Sequence, residues 1–177
     1  MKKILGLLSC ILILGSCDDG DITTKGINFD PSAPVKSCSA NDGLYYKING
    51  PEALIVQTPS SSFANEITPE NQPRTVLIDN TNTKVILRSF NATVSDSYFC
   101  SVIPPSTPDV TEEWDALTGV SGQSGYFEIT TTEIVNQGTQ AITGYNHHII
   151  FKNITFANSK SSFVYDNYVY GNYVTNP

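Results

Sequence analysis

From Cys38 onward, apolar and β-branched runs of strand length recur, separated by turn residues, and no helical periodicity is sustained. Residues 44–48, 53–58, 74–78, 84–90, 94–100, 126–135, 147–156 and 163–170 read as strands. Such a pattern can bury apolar surface only by stacking or closing sheets. The expected fold class is therefore all-β: an antiparallel two-sheet sandwich, immunoglobulin-like in outline, with at most one short helix outside the signal peptide described below. Residues 59–73 read as a long polar loop. The sharpest local expectation is a hairpin that joins 74–78 to 84–90 through Asp79-Asn80-Thr81-Asn82-Thr83, because Asn and Asp tolerate the left-handed backbone of tight turns. Residues 106–119 fit two templates. Pro108 and Asp109 suit a helical first turn, with Val110, Trp114 and Leu117 on one face and Gly119 as cap. Alternatively Val110, Glu112 and Trp114 alternate in a strand that turns at 120–125 and pairs with 126–135. The strand is preferred.

The first residues are of another kind. Lys2 and Lys3 precede a run at 4–14 broken only by Gly6, Ser9 and Cys10, and the small Gly15 and Ser16 close it. This is the layout of a secretory signal peptide, too short to span a bilayer, which takes about 20 residues. Leu14-Gly15-Ser16-Cys17 resembles the lipobox of bacterial lipoproteins. The resemblance implies cleavage before Cys17, lipid on its sulfur, and membrane attachment strengthened by roughly 0.8 kcal/mol for each buried methylene. Asp18, Asp19 and Asp21 follow at once, and they resemble the acidic tract of surface-exported lipoproteins of the Bacteroidota. The body, with Phe99-Cys100 before Ile103-Pro104-Pro105 and with the run 128–132, is similar to small lipoproteins of unknown function in that group. These resemblances imply an outer-membrane, surface-exposed address and no particular activity. In other bacteria an Asp just after the cysteine marks inner-membrane retention. The expected organisation is a signal peptide at 1–16, a lipidated N-terminus and flexible tether at 17–37, and one domain at 38–177. The polar stretch 18–37 could reach roughly 70 Å if extended.

Four cysteines are present. Cys10 leaves with the signal and Cys17 takes lipid, so Cys38 and Cys100 remain as one pair in an oxidising compartment and are expected to bond. Closing so long a loop contributes at most about 4 kcal/mol in the chain-entropy view. Two distant cysteines lack the paired spacing of a zinc site. Ser95-Asp96-Ser97-Tyr98-Phe99-Cys100 resembles the tyrosine corner of immunoglobulin domains. The match departs in two respects: no Trp lies between the cysteines, and 77 residues follow Cys100.

Net charge is −7, and loss of Lys2 and Lys3 with the signal leaves −9. An acidic surface argues against nucleic acid and against anionic lipid as charge partners. His147 and His148 fall on opposite faces of a strand and cannot share a metal ion. Glu112, Glu113 and Asp115 crowd around Trp114; paired carboxylates can hydrolyse glycosidic bonds, but such pairs normally come from different strands. Trp114 itself reads as core. The C-terminal stretch is the most distinctive, with Phe163, Tyr165, Tyr168, Tyr170 and Tyr173. Tyrosine faces stack on sugars, so Tyr165, Tyr168 and Tyr170 are the candidate ligand-binding residues. In a regular strand Tyr168 and Tyr170 share a face and Tyr165 takes the other; one platform would need a bulge. No phosphate loop, GxSxG, HExxH or calcium loop occurs, and no metal or cofactor is expected. The expected function is a non-catalytic, lipid-anchored sandwich that binds glycan or an envelope protein. The alternatives are a small envelope hydrolase using paired carboxylates and a structural subunit of an outer-membrane complex.

Overall fold

A computed structural model of the protein describes residues 25–39 and 41–177. The signal segment 1–16, Cys17, Asp18, Asp19 and Asp21 lie outside the described residues. Among those described, no helix is long and apolar enough to cross a membrane.

The fold is all-β. Its strands are β1 (Lys36–Cys38), β2 (Asn41–Asn49), β3 (Glu52–Gln57), β4 (Arg74–Leu77), β5 (Lys84–Phe90), β6 (Val110–Ala116), β7 (Tyr126–Val135), β8 (Ile142–Ala157) and β9 (Ser162–Thr175). A 3-10 turn at Ser60–Phe63 and one helical turn, α1 (Asp96–Cys100), complete the elements. Every strand pairing is antiparallel. Hydrogen bonding runs β1-β2-β3-β5-β6-β8-β7-β4, with β9 also on β8.

The two expected layers form, but as one sheet folded over. The corner is the short contact of β6 with β8, where Asp115 faces Ala157 and Ala116 faces Phe156. On one side of the core lie Tyr45, Leu54, Val56, Leu87 and Trp114; on the other lie Phe127, Ile129, Ile149, Phe151, Phe156 and Tyr170. Each of these phenylalanines contributes about 1.5–3 kcal/mol by leaving water. Trp114 packs on Phe163 with ring centres 5.0 Å apart, as its core reading requires.

A second core covers the outer face of β2, β3 and β5. It joins Leu44, Tyr46, Ala53, Ile55, Ile86 and Phe90 to Val94 and Phe99 of the 91–109 excursion. This explains why β3 reads as an unbroken apolar run, Ala-Leu-Ile-Val, rather than alternating. Leu54 and Val56 enter the first core, and Ala53 and Ile55 enter the second. The Cys38–Cys100 disulfide forms, with Cα atoms 5.1 Å apart, and ties that excursion to β1.

Several sequence expectations are corrected. Residues 74–78 and 84–90 do not form a hairpin: β4 pairs with β7, while β5 pairs with β3 and β6. The turn chemistry at Asp79 is nonetheless as read. Asp79 Oδ1 accepts the backbone N–H groups of Thr81, Asn82 and Thr83 at 2.7–2.9 Å, and Asn80 sits at φ 57°. The turn carries the chain between layers instead of back along its own strand. Residues 94–100 form no strand, since α1 occupies 96–100. Tyr98 therefore makes no tyrosine corner: the disulfide links an edge strand to a helical turn rather than one sheet to the other. Residues 110–116 are the preferred strand, but their partners are β5 and β8, not β7.

The domain also begins earlier than Cys38. Residues 25–35 form a strap rather than a free tether, with Ile27, Phe29 and Val35 buried in the first core. Lys25 bonds Glu52 and Ser89, and the Val35 N–H donates to Asn172 O at 2.8 Å. Apolar residues at 27, 29 and 35, spaced through a polar stretch, are the signal that the tether reading passed over.

Candidate functional site

Two adjoining recesses open on the outer face of the first layer, with volumes of about 270 and 300 Å³. Asn41, Leu44 and Gln57 line both, so they form one groove. Strand alternation builds its floor. Lys84, Ile86 and Arg88 of β5 point outward, and the register sets Ile55 against Ile86, Gln57 against Lys84, and the small Ala53 against Arg88. Tyr98, Phe99 and Pro104 form the wall of the smaller recess. Asp42, Ser60, Thr81 and Asn82 give the larger recess a polar rim.

The wall is held from several sides. Phe99 stacks on Tyr46 at 4.5 Å, and Tyr98 meets the edge of Phe90 at 5.0 Å. The Tyr46 hydroxyl lies 3.2 Å from both Cys100 Sγ and Asp96 Oδ1, and burial pushes it up to about 12. Lys36 Nζ reaches both Asp96 oxygens at 2.8–2.9 Å. A half-exposed aromatic ring thus stands over an apolar floor, beside two amides and two cations.

The C-terminal tyrosines are brought together, but on the inner face. The β8–β9 ladder skips Asn153 and Asp166, with Asn153 at φ 46°. Its register then shifts at Tyr170, where Ile149 pairs with Gly171 and Ile150 with Val169. Gly171 has φ 137°, and a Cβ there would lie 3.1 Å from Lys47 Nζ. These two irregularities turn Phe163, Tyr165, Tyr168, Tyr170 and Tyr173 all toward the core. Tyr170 is fully buried and its hydroxyl donates to Leu54 O at 3.2 Å, so it offers nothing to a ligand. The strap covers its neighbours: the Ile27 N–H donates to the Tyr165 hydroxyl at 2.7 Å. Tyr168 packs between Tyr165 and Phe151, and burial pushes its hydroxyl up to about 12. Beneath the strap, the buried Lys47 donates to Asp30 O and to Tyr170 O. Burial pulls its ammonium below the ordinary lysine value.

The histidines diverge as expected. His147 is buried between Thr131 Oγ1 at 2.9 Å and Thr175 Oγ1 at 3.0 Å, and burial, aided by Arg74, lowers it to about 4. His148 contacts Asn172 on the outer face at 2.9 Å. No group of three metal-ligating side chains gathers among the described residues.

The carboxylates of β6 divide between faces. Glu112 lies 3.7 Å from Lys25, and Glu113 pairs with Arg88. Burial and the neighbouring Glu113 raise Asp115. Among the described residues Asp42 is the only carboxylate that lines the groove, while Glu113, paired with Arg88, and Asp115, opposite Ile86, stand beside its floor on the same face of the sheet. Two carboxylates therefore do not face each other across it. Sequence reading singled out Tyr98, Phe99 and Pro104 for other resemblances and Thr81 and Asn82 as turn residues, none of them as groove lining; Arg88, a cation directly after the apolar run Val85-Ile86-Leu87, is the signal it missed, and the rest come from segments far apart in the chain. Comparisons with protein families, with curated proteins and with solved structures found no match.

Proposed function

We propose that the chain is a lipid-anchored lipoprotein of the bacterial envelope, exported to the outer membrane as in the Bacteroidota, whose non-catalytic β-sandwich binds glycan in this groove. The observation that carries the reading is the lining: the Tyr98 ring and Pro104 beside Asn41, Gln57 and Arg88. An aromatic face packs on a sugar ring while amides and a guanidinium bond its hydroxyls. Lys25, the first described residue, engages Glu52 and Ser89 at one end of β3 and β5, and the groove runs along β5 from Arg88, beside that end, to Lys84 at the other. An anchor at Cys17 would then sit within roughly 30 Å of the packed domain, at about 3.5 Å per residue.

Two measurements test this. Cys17→Ala should move the protein from the membrane pellet to the soluble envelope fraction, and continued attachment would refute the anchor. On a glycan array, the full chain in detergent should bind, Tyr98→Ala should lose the signal while its circular dichroism stays that of the folded protein, and Tyr168→Phe should keep it. An array that stays blank would refute the binding reading.

A second reading, docking to an envelope protein, is favoured by the adjacent Val102 and Ile103, which are 90% and 84% exposed. In that case Ile103→Ser would abolish a cross-linked partner in intact cells while glycan binding is absent.

A further inference from the structure

We infer that Asn49 is a site of spontaneous covalent modification, deamidation through a cyclic imide with Gly50, and that the product loosens the strap from β2. The inference is independent of the glycan reading. Asn49-Gly50 is the only Asn–Gly pair in the chain. Cyclisation needs a backbone nitrogen that can approach the Cγ of the preceding side chain. A Cβ on the following residue obstructs that approach, and glycine has none. The structure leaves this nitrogen open. Asn49 is exposed at the end of β2, and Gly50 begins the turn to β3 with φ 59°. The neighbouring excursion holds the turn by its carbonyls: the Val94 N–H donates to Gly50 O and the Phe90 N–H to Pro51 O. The Gly50 N–H has no acceptor among the described residues. Apart from its chain neighbours, nothing lies within 4 Å of where a Cβ on Gly50 would stand. Rotating Asn49 into position disturbs only the last β2–β3 pair, Asn49 with Glu52.

The chemistry needs only hydroxide and water. The Gly50 nitrogen, its proton taken by hydroxide, adds to Asn49 Cγ; the side-chain nitrogen leaves as ammonia and a five-membered imide closes. Water then opens the ring. Attack at Cγ gives aspartate on the original backbone. Attack at the main-chain carbonyl gives isoaspartate, with the backbone routed through the side chain. In both products an amide and a water have become a carboxylate and ammonium, and nothing is oxidised or reduced.

The strap feels the change. Asn49 is one of two β2 side chains that donate to it: Asn49 Nδ2 reaches Asn28 O at 2.6 Å, and Lys47 Nζ reaches Asp30 O. Deamidation replaces that donor with an anion beside a carbonyl oxygen, which is left without its bond. The new carboxylate also stands opposite Glu52, the partner of Lys25 at the start of the strap. Like charges on opposed strand residues repel. Because the ammonia is lost, the loosening runs in one direction as the protein ages.

Mass spectrometry of the full chain in detergent, held at mildly alkaline pH, tests this. The tryptic fragment 48–74 should gain one mass unit, placed by fragmentation on Asn49 rather than on Asn65 or Asn71. Isoaspartyl methyltransferase should label the same residue. Asn49→Gln, whose longer side chain disfavours the ring, should block the change. Asn49→Asp, which carries the product's charge, should speed hydrogen exchange of the Ile27 and Val35 amides by about tenfold or more, while Phe127 and Ile149 in the first core keep their protection. Aged native protein should show the same difference from fresh protein, so the result does not depend on the variant. An Asn49 that stays an amide in the folded protein would overturn the site, with the urea-unfolded chain as the reacting control. Strap exchange unchanged in both Asn49→Asp and aged protein would overturn the loosening.

Discussion

At the scale of single residues, His147 makes stability depend on pH. It is held neutral between two threonine hydroxyls, with its pKa lowered to about 4 from an ordinary 6.5. The unfolded chain takes up a proton below 6.5 that the folded chain refuses until about 4. The contribution is therefore complete above 6.5 and is lost as pH falls through that window. His147→Gln should cost about 1–2 kcal/mol at neutral pH through its weaker hydrogen bonds. The gap between variant and native protein should then narrow from pH 7 to pH 4.5 in urea titrations; a gap that stays constant would refute the assignment. Asp79 acts in the same direction, because backbone donors in its turn, led by Thr83, hold its carboxylate well below the usual range. Its contribution fades only in stronger acid. Both roles were partly legible. The alternation of a strand separates His147 from His148, and a turn of Asp and Asn needs a capped backbone. That His147 faces inward depends on which side of β8 the core lies.

At the scale of elements, the strap and β9 are one device. The strap runs alongside β9, from Ile27 at Tyr165 to Val35 at Asn172, and buries three apolar side chains over the seam beside it. Phe29→Ala should destabilise the domain by about 3–5 kcal/mol, the range for a buried phenylalanine. Asn28→Ala, an exposed neighbour, should cost far less; its side chain plays no part in the bond that Asn49 makes to the Asn28 carbonyl. Equal and small effects in urea unfolding would show that the strap is dispensable. Tyrosines alternating in a strand are readable as two faces, and that reading fails here because the ladder is interrupted at Asn153 and Asp166 and slips once at Tyr170. A bulge is set by what the neighbouring strand and the buried Lys47 require, so the local pattern of β9 does not contain it.

At the scale of the molecule, the disulfide holds the second core closed. It fastens the 91–109 excursion to β1, and that excursion supplies the groove wall with Tyr98, Phe99 and Pro104. Replacing Cys38 and Cys100 together with alanine should cost about 2–4 kcal/mol. Far-ultraviolet circular dichroism should stay β-rich, because the first core does not include the excursion. Limited proteolysis should then cut between residues 91 and 109, where the native protein resists. A variant that is cut nowhere new, or that loses its β signal entirely, would contradict two separable cores. The long edge strand β9 raises the question of aggregation, since Val164, Val169 and Val174 are exposed on it. The strap lies along it and limits that hazard.

The chain's own order of residues was enough to determine an all-β body, a cysteine pair, the inward Trp114 and the capped turn at Asp79. These follow from local rules: strand-length apolar runs, an even thiol count, side-chain alternation and short-range hydrogen bonds. The tertiary structure alone decided which strands pair, why β4 and β5 part at their shared turn, and where the tyrosines point. It also assembled the groove from β2, β3, β5 and α1. Partner choice depends on burying apolar surface from distant segments at once, and that free energy belongs to the packed whole rather than to any one stretch of sequence.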